Sequence, residues 1–145
     1  AQVGRAFGAR DRAGFRRAVR LSSELALATA LLLAGGVWRG GDAVIGWLTS
    51  LGGVAALAHV YLPWAALYVL LSVAAFQLDG VFIGATATRQ MRNAGLISLA
   101  MFLACALPMA ATWGNHGLWA ALVVFVVARA LALLQYYRRL ERNLR

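Results

Sequence analysis

The chain has 145 residues, of which 62% are hydrophobic and 13% charged, with a formal net charge of +9. A soluble domain has about 25% charged residues, and a disordered basic tail needs low hydrophobicity. A nucleic-acid-binding domain spreads its basic residues over a polar face. The class left is an integral membrane protein whose charges sit at the ends of apolar spans.

In chain order, residues 1–20 form a basic segment, VGRAFGARDRAGFRRAVR with its flanks, in which Val3, Phe7, Phe15 and Val19 alternate with Arg. It reads as the end of a preceding helix followed by a basic turn along the cytoplasmic surface. An ordinary cytoplasmic loop is preferred to a specific lipid site. A spanning helix needs roughly 20 mostly apolar residues, and four stretches qualify: 21–38, 61–88, 94–112 and 117–137. They are long, rich in Leu and Ala, and free of period-2 alternation, so they are helices and not strands. Gly40–Val60 is read as an outer interfacial helix or as the start of the second span. Pro63 favours a break there, because proline suits the first turn of a helix and disrupts an interior. Residues 138–145 form a basic tail.

Every basic residue except the two His is Arg. With four spans, both ends and the 89–93 loop share one side, which collects twelve Arg, while Arg39 alone lies on the other and Arg129 lies within a span. The positive-inside rule then places both termini in the cytoplasm. Trp38, Trp47, Tyr61, Trp64, Trp113 and Trp119 fall at the outer ends of the spans, where an aromatic belt is expected. The expected fold is therefore all-α, a polytopic four-helix membrane protein in the plasma or inner membrane.

Charges inside a bilayer cost at least ~2.5 kcal/mol each on insertion scales and default to functional candidates. Asp79 lies ten residues before Arg89, about 15 Å or half a hydrocarbon core if the helix is continuous. Arg129 lies nine residues before Arg138, at similar depth. A carboxylate at that depth can bind and release a proton, or hold Na+ with nearby hydroxyls and carbonyls. Gln77, Ser72 and Thr86 on the same stretch are the nearby candidates. The competing reading is an Asp79–Arg129 ion pair that locks two helices together, and the sequence leaves the two readings level. Glu24, four residues after Arg20, reads as a surface pair. His59, His116 and Asn115 make a weak case for a metal, and Cys105, the lone cysteine, reads as a small buried hydrophobe. No cofactor is expected. No phosphate loop and no nucleophile–base–acid set can be placed, so the chain is not expected to be an enzyme.

The string FQLDGVFIGATATRQMRNA at 76–94, preceded by YLPWAALYVLLSVAAF, resembles the multidrug and toxic-compound extrusion (MATE) family, nearest its DinF-like branch. VGRAFGARDRAGFRRAVRLS and GNHGLWAALVVFVVARALAL resemble the same family, so the likeness covers essentially the whole chain. It implies a twelve-helix transporter of two six-helix lobes that exchanges H+ or Na+ for organic, often cationic, drugs. The four spans resemble helices nine to twelve of the C-terminal lobe. In some branches a carboxylate on helix ten takes part in cation binding, and Asp79 matches that position. In the DinF-like branch coupling is usually assigned to an N-lobe aspartate that this chain lacks. That leaves a structural or substrate-facing role open for Asp79.

The missing start Met and the opening inside a helix-end motif are read as signs of a fragment, with the N-terminal helices of the same transporter as its partner. Alone, it is expected not to transport. The alternatives are a stand-alone four-helix exporter of the small multidrug-resistance type, for which Glu24 is poorly placed, and a non-transporting membrane scaffold or remnant.

Overall fold

The computed structural model describes residues 2–142. Those residues form α1 (Gln2–Gly8), α2 (Arg12–Leu48), α3 (Gly52–Gly84), α4 (Thr88–Trp113) and α5 (Asn115–Arg142), with no strand among them. α2 to α5 are each long and apolar enough to cross a membrane.

The outer half of the α2–α3 hairpin differs from the sequence expectation. α2 runs on through the glycine-rich stretch to Leu48, and α3 starts at Gly52, so the connection is a short turn and not a separate interfacial helix. Pro63 lies inside α3 and does not start it. The physical reason is the solvent. Glycine and proline weaken a helix in water, where peptide groups can bond to solvent instead. In lipid an unpaired peptide group costs several kcal/mol, and the helix persists through such residues. At 37 and 33 residues, α2 and α3 are about 55 and 50 Å long by the helical rise, more than a ~30 Å hydrocarbon core. At the basic end α2 begins at Arg12, so residues 12–20 of the predicted surface segment are helix continuous with the first span.

Two of the turns share one device. After α1, Asp11 N–H donates to the Ala6 carbonyl at 2.9 Å and Arg10 N–H to Phe7 at 3.1 Å. After α3, Ala87 N–H donates to Phe82 at 2.9 Å and Thr86 N–H to Ile83 at 3.0 Å. Both are left-handed C-terminal caps, which satisfy the last helical carbonyls through one residue of positive φ. Arg10 (φ 52°) and Thr86 (φ 55°) hold the position usually given to glycine. Asp11 then caps α2, its Oδ1 accepting from Gly14 N–H at 2.9 Å. The turn between α4 and α5 is tighter. Gly114 has φ 58° and ψ −135°, a region open to glycine. A Cβ on Gly117 would run into the Met109 carbonyl, so the two helices touch backbone to backbone where they leave the turn.

The helices form two hairpins, α2–α3 and α4–α5, joined mainly through α3 against α5, with α1 laid on α2 and α3. α3 and α5 run in the same direction: Tyr61 and Trp64 meet His116 at their starts, and Phe82 meets the Leu133 and Leu140 cluster at their ends. The bulky buried core lies at the arginine-rich end, where Phe15, Val81, Phe82, Leu133 and Leu140 come together. Elsewhere the seams are lined by small residues such as Ala30, Ala66, Ala75, Ala106 and Ala121, as is common where membrane helices approach closely. Large apolar side chains point outward: Leu32 is 77% exposed and Leu107 80%. That is the surface of a protein solvated by hydrocarbon.

Candidate functional site

The site forms where α3, α4 and α5 meet in the basic half of the bundle. Arg129 Nε donates to Asp79 Oδ2 at 2.9 Å, and Arg129 Nη2 donates to Asp79 Oδ1 at 3.0 Å. This is a bidentate fork-to-fork pair, among the strongest side-chain contacts because both bonds are charge-assisted and planar. The side chains are 14% (Asp79) and 22% (Arg129) exposed, so the pair is largely withdrawn from its surroundings. As a unit it carries no net charge, which makes it tolerable inside a membrane. α4 makes room for it: a Cβ on Gly95 would lie 3.1 Å from Arg129 Nη1. The guanidinium thus sits between the α3 carboxylate and a bare stretch of α4 backbone.

The depth inferred for Asp79 needs correction. Ten helical residues to Arg89 would place it about 15 Å in, but α3 ends at Gly84 and the chain turns before α4 begins. Only five residues separate Asp79 from the helix end, a rise of about 8 Å. Arg129 lies in the middle of the unbroken α5 and reaches Asp79 through its long side chain.

The other three candidates are not gathered around Asp79. Gln77 faces α2, where its Nε2 donates to Ser22 Oγ at 2.6 Å and lies 3.3 Å from Ser23 Oγ. Two positions apart on a helix is about 200° of rotation, which turns Gln77 away from the ion pair. Ser72 is buried and donates to its own helix at the Val69 carbonyl, 3.0 Å away. It lies seven residues, about 10 Å, from Asp79 along α3. Thr86 is in the cap after α3, its hydroxyl donating to the Ala85 carbonyl at 2.7 Å. The sequence reading missed Gly95, Ser22 and Ser23. A glycine in a span signals close approach only once its neighbour is known, and a serine pair near a span end reads as ordinary polar flank.

Two further clusters flank the site. At the basic end Glu141, in the last turn of α5, accepts from Arg16 of α2 and lies 3.5 Å from Arg12 Nε. The Arg16 guanidinium, through its hydrogen bond, holds the Glu141 carboxyl below the usual carboxylate range, against a smaller opposing effect of burial. At the far end His59 bonds Asp42 at 2.6 Å, and Trp64 Nε1 donates to His116 Nδ1 at 3.0 Å. Arg20 and Glu24 form an exposed pair at 2.8 Å.

The family model MatE matches residues 1–110. The DNA damage-inducible protein F of Escherichia coli is 38% identical over 144 residues, covering 99% of this chain and 31% of that protein. The probable multidrug resistance protein NorM of Xanthomonas campestris pv. campestris is 32% identical over 154 residues, covering 99% of this chain and 32% of that protein. The chain thus spans about a third of the length of the curated relatives it matches. No solved structure matches it. With three-quarters of its residues under the family model and its four apolar helices in place, the chain belongs to the MatE, or MATE, family.

Proposed function

We propose that this chain is part of a secondary transporter that exports organic, cationic, drug-like molecules in exchange for H+ or Na+, and that the Asp79–Arg129 pair is its conformational lock. Family membership supports the transport reading, as does the name of the Xanthomonas relative. The single observation behind the lock is the bidentate geometry: both carboxylate oxygens of Asp79 are engaged by one guanidinium. The guanidinium occupies the side of the carboxylate on which both oxygens would otherwise meet a coupling ion. An ion can take Asp79 only when α3 and α5 separate, and once it has done so it holds Arg129 away. Ion arrival and helix separation are then linked, which is what alternating access requires. On this reading the membrane is the plasma or inner membrane, both termini face the cytoplasm, and the chain catalyses no chemical reaction.

The test is ion-driven drug efflux in proteoliposomes containing the full-length protein with Asp79→Asn. Loss of coupled efflux with drug binding retained supports the lock. Efflux equal to the unmodified protein removes any coupling role and leaves a purely structural pair.

A further inference from the structure

One stripe of α5 has a composition that the transport reading does not use. Leu131, Leu134, Arg138 and Arg142 recur at spacings of three and four residues and so share a face. Gln135 and Arg139 lie beside them. The whole stripe is exposed, with Leu131 at 56% and Leu134 at 48%. It is apolar deeper in the membrane and triply basic where α5 leaves it. Arg142 folds back along the helix, its Nε donating to the Arg138 carbonyl at 3.3 Å, which draws its charge toward the apolar part.

Two hollows meet along this stripe. The first, about 510 Å³, is lined by Leu131, Leu134, Gln135 and the three arginines, with no acidic side chain. The second, about 420 Å³, lies between α2, α3 and α5 and is almost wholly apolar. Leu131 and Leu134 border both, so the hollows adjoin. The neighbouring acid, Glu141, lines neither hollow and is engaged by Arg16 and Arg12. A basic mouth leading into an apolar trough, at the level where helices meet lipid headgroups, is complementary to an anionic amphiphile and repels a cationic one.

We propose that this stripe binds one anionic glycerophospholipid, its phosphate held by Arg138, Arg139 and Arg142 and one acyl chain laid over Leu131 and Leu134 into the trough. Guanidinium groups suit phosphate oxygens because they donate in pairs. The site is separate from the Asp79–Arg129 lock and stands or falls independently of it.

The test uses the full-length protein in detergent, with native mass spectrometry and thermal unfolding as readouts and dioleoyl-phosphatidylglycerol, dioleoyl-phosphatidylcholine and inorganic phosphate as probes. The expected result is one retained phosphatidylglycerol, no retained phosphatidylcholine, and a rise in unfolding temperature with phosphatidylglycerol that phosphate does not reproduce. Replacing Arg138, Arg139 and Arg142 by Ala lowers retention at least tenfold. Replacing Arg5, Arg17 and Arg92 by Ala, an equal change in charge at exposed sites, leaves retention unchanged. Leu131→Ser with Leu134→Ser weakens retention with every arginine intact, which keeps the proposal testable should the triple variant unfold. Equal loss in the two arginine triples overturns the site in favour of diffuse charge attraction. Stabilisation by inorganic phosphate alone overturns the lipid as its source. Absence of retained phosphatidylglycerol in the unmodified protein overturns it outright.

Discussion

Arg129 has two neighbours of opposite kind, a carboxylate that holds it and a glycine that makes room for it. Removing one member of a buried pair leaves the other charge unpartnered, at a cost of about 3–5 kcal/mol, whereas removing both is often near neutral. Arg129→Gln and Asp79→Asn should therefore each lower the unfolding temperature of the full-length protein, and the double variant should recover most of the loss. Two independent losses that simply add would show that the residues do not act as a pair. Glu141 gives a pH dependence with a definite sign. Its folded-state pKa lies below the ordinary value of 4.5 because of Arg16. The contact therefore contributes stability above that value and loses it as pH falls toward and through the lowered pKa. Acid unfolding followed between pH 6 and 3 should show this loss in the unmodified protein and a smaller one in Glu141→Gln. The Asp79–Arg129 contact was legible only as one of two level readings, because opposite charges in an apolar medium have few other partners. Gly95 was not legible, since nothing in its own stretch of sequence says which side chain will lie against it.

At the scale of elements, the caps make the sharpest predictions. A β-branched residue in the left-handed region is strained by roughly 1–2 kcal/mol, and glycine is not. Thr86→Gly is thus expected to raise the unfolding temperature slightly and leave transport unchanged. A loss of transport without unfolding would return Thr86 to the list of site residues. The α4–α5 turn should respond in the opposite sense. Gly114→Ala forces a Cβ into a region that only glycine enters readily, at about 1–3 kcal/mol. Gly117→Val drives a side chain into the Met109 carbonyl and should destabilise further. Both are read by thermal unfolding. The existence of the four spans was legible because a bilayer demands long apolar helices and little else. Their outer limits were not. Glycine and proline carry a breaking signal calibrated in water, and α2 and α3 pass through Gly41 and Pro63 regardless.

For the molecule as a whole, the arginine asymmetry predicts which ends face the cytoplasm. In a Cys105→Ser background of the full-length protein, a membrane-impermeant maleimide applied to intact cells should label Thr49→Cys, between α2 and α3, and spare Ala87→Cys, between α3 and α4. The reverse pattern would invert the topology. Among the described residues, the largest fully buried side chains are Phe15, Phe82, Leu133, Val81 and Ser98, and four of these five belong to the one cluster at the arginine-rich end. Away from it, alanine and glycine make smooth seams with few knobs to disengage. A bundle interlocked at one extremity and greased along the rest is suited to shear. Its helices can slip past one another by an ångström or two by shifting partly exposed contacts such as Trp64 on His116, while the interlocked extremity keeps them in register as an anchor.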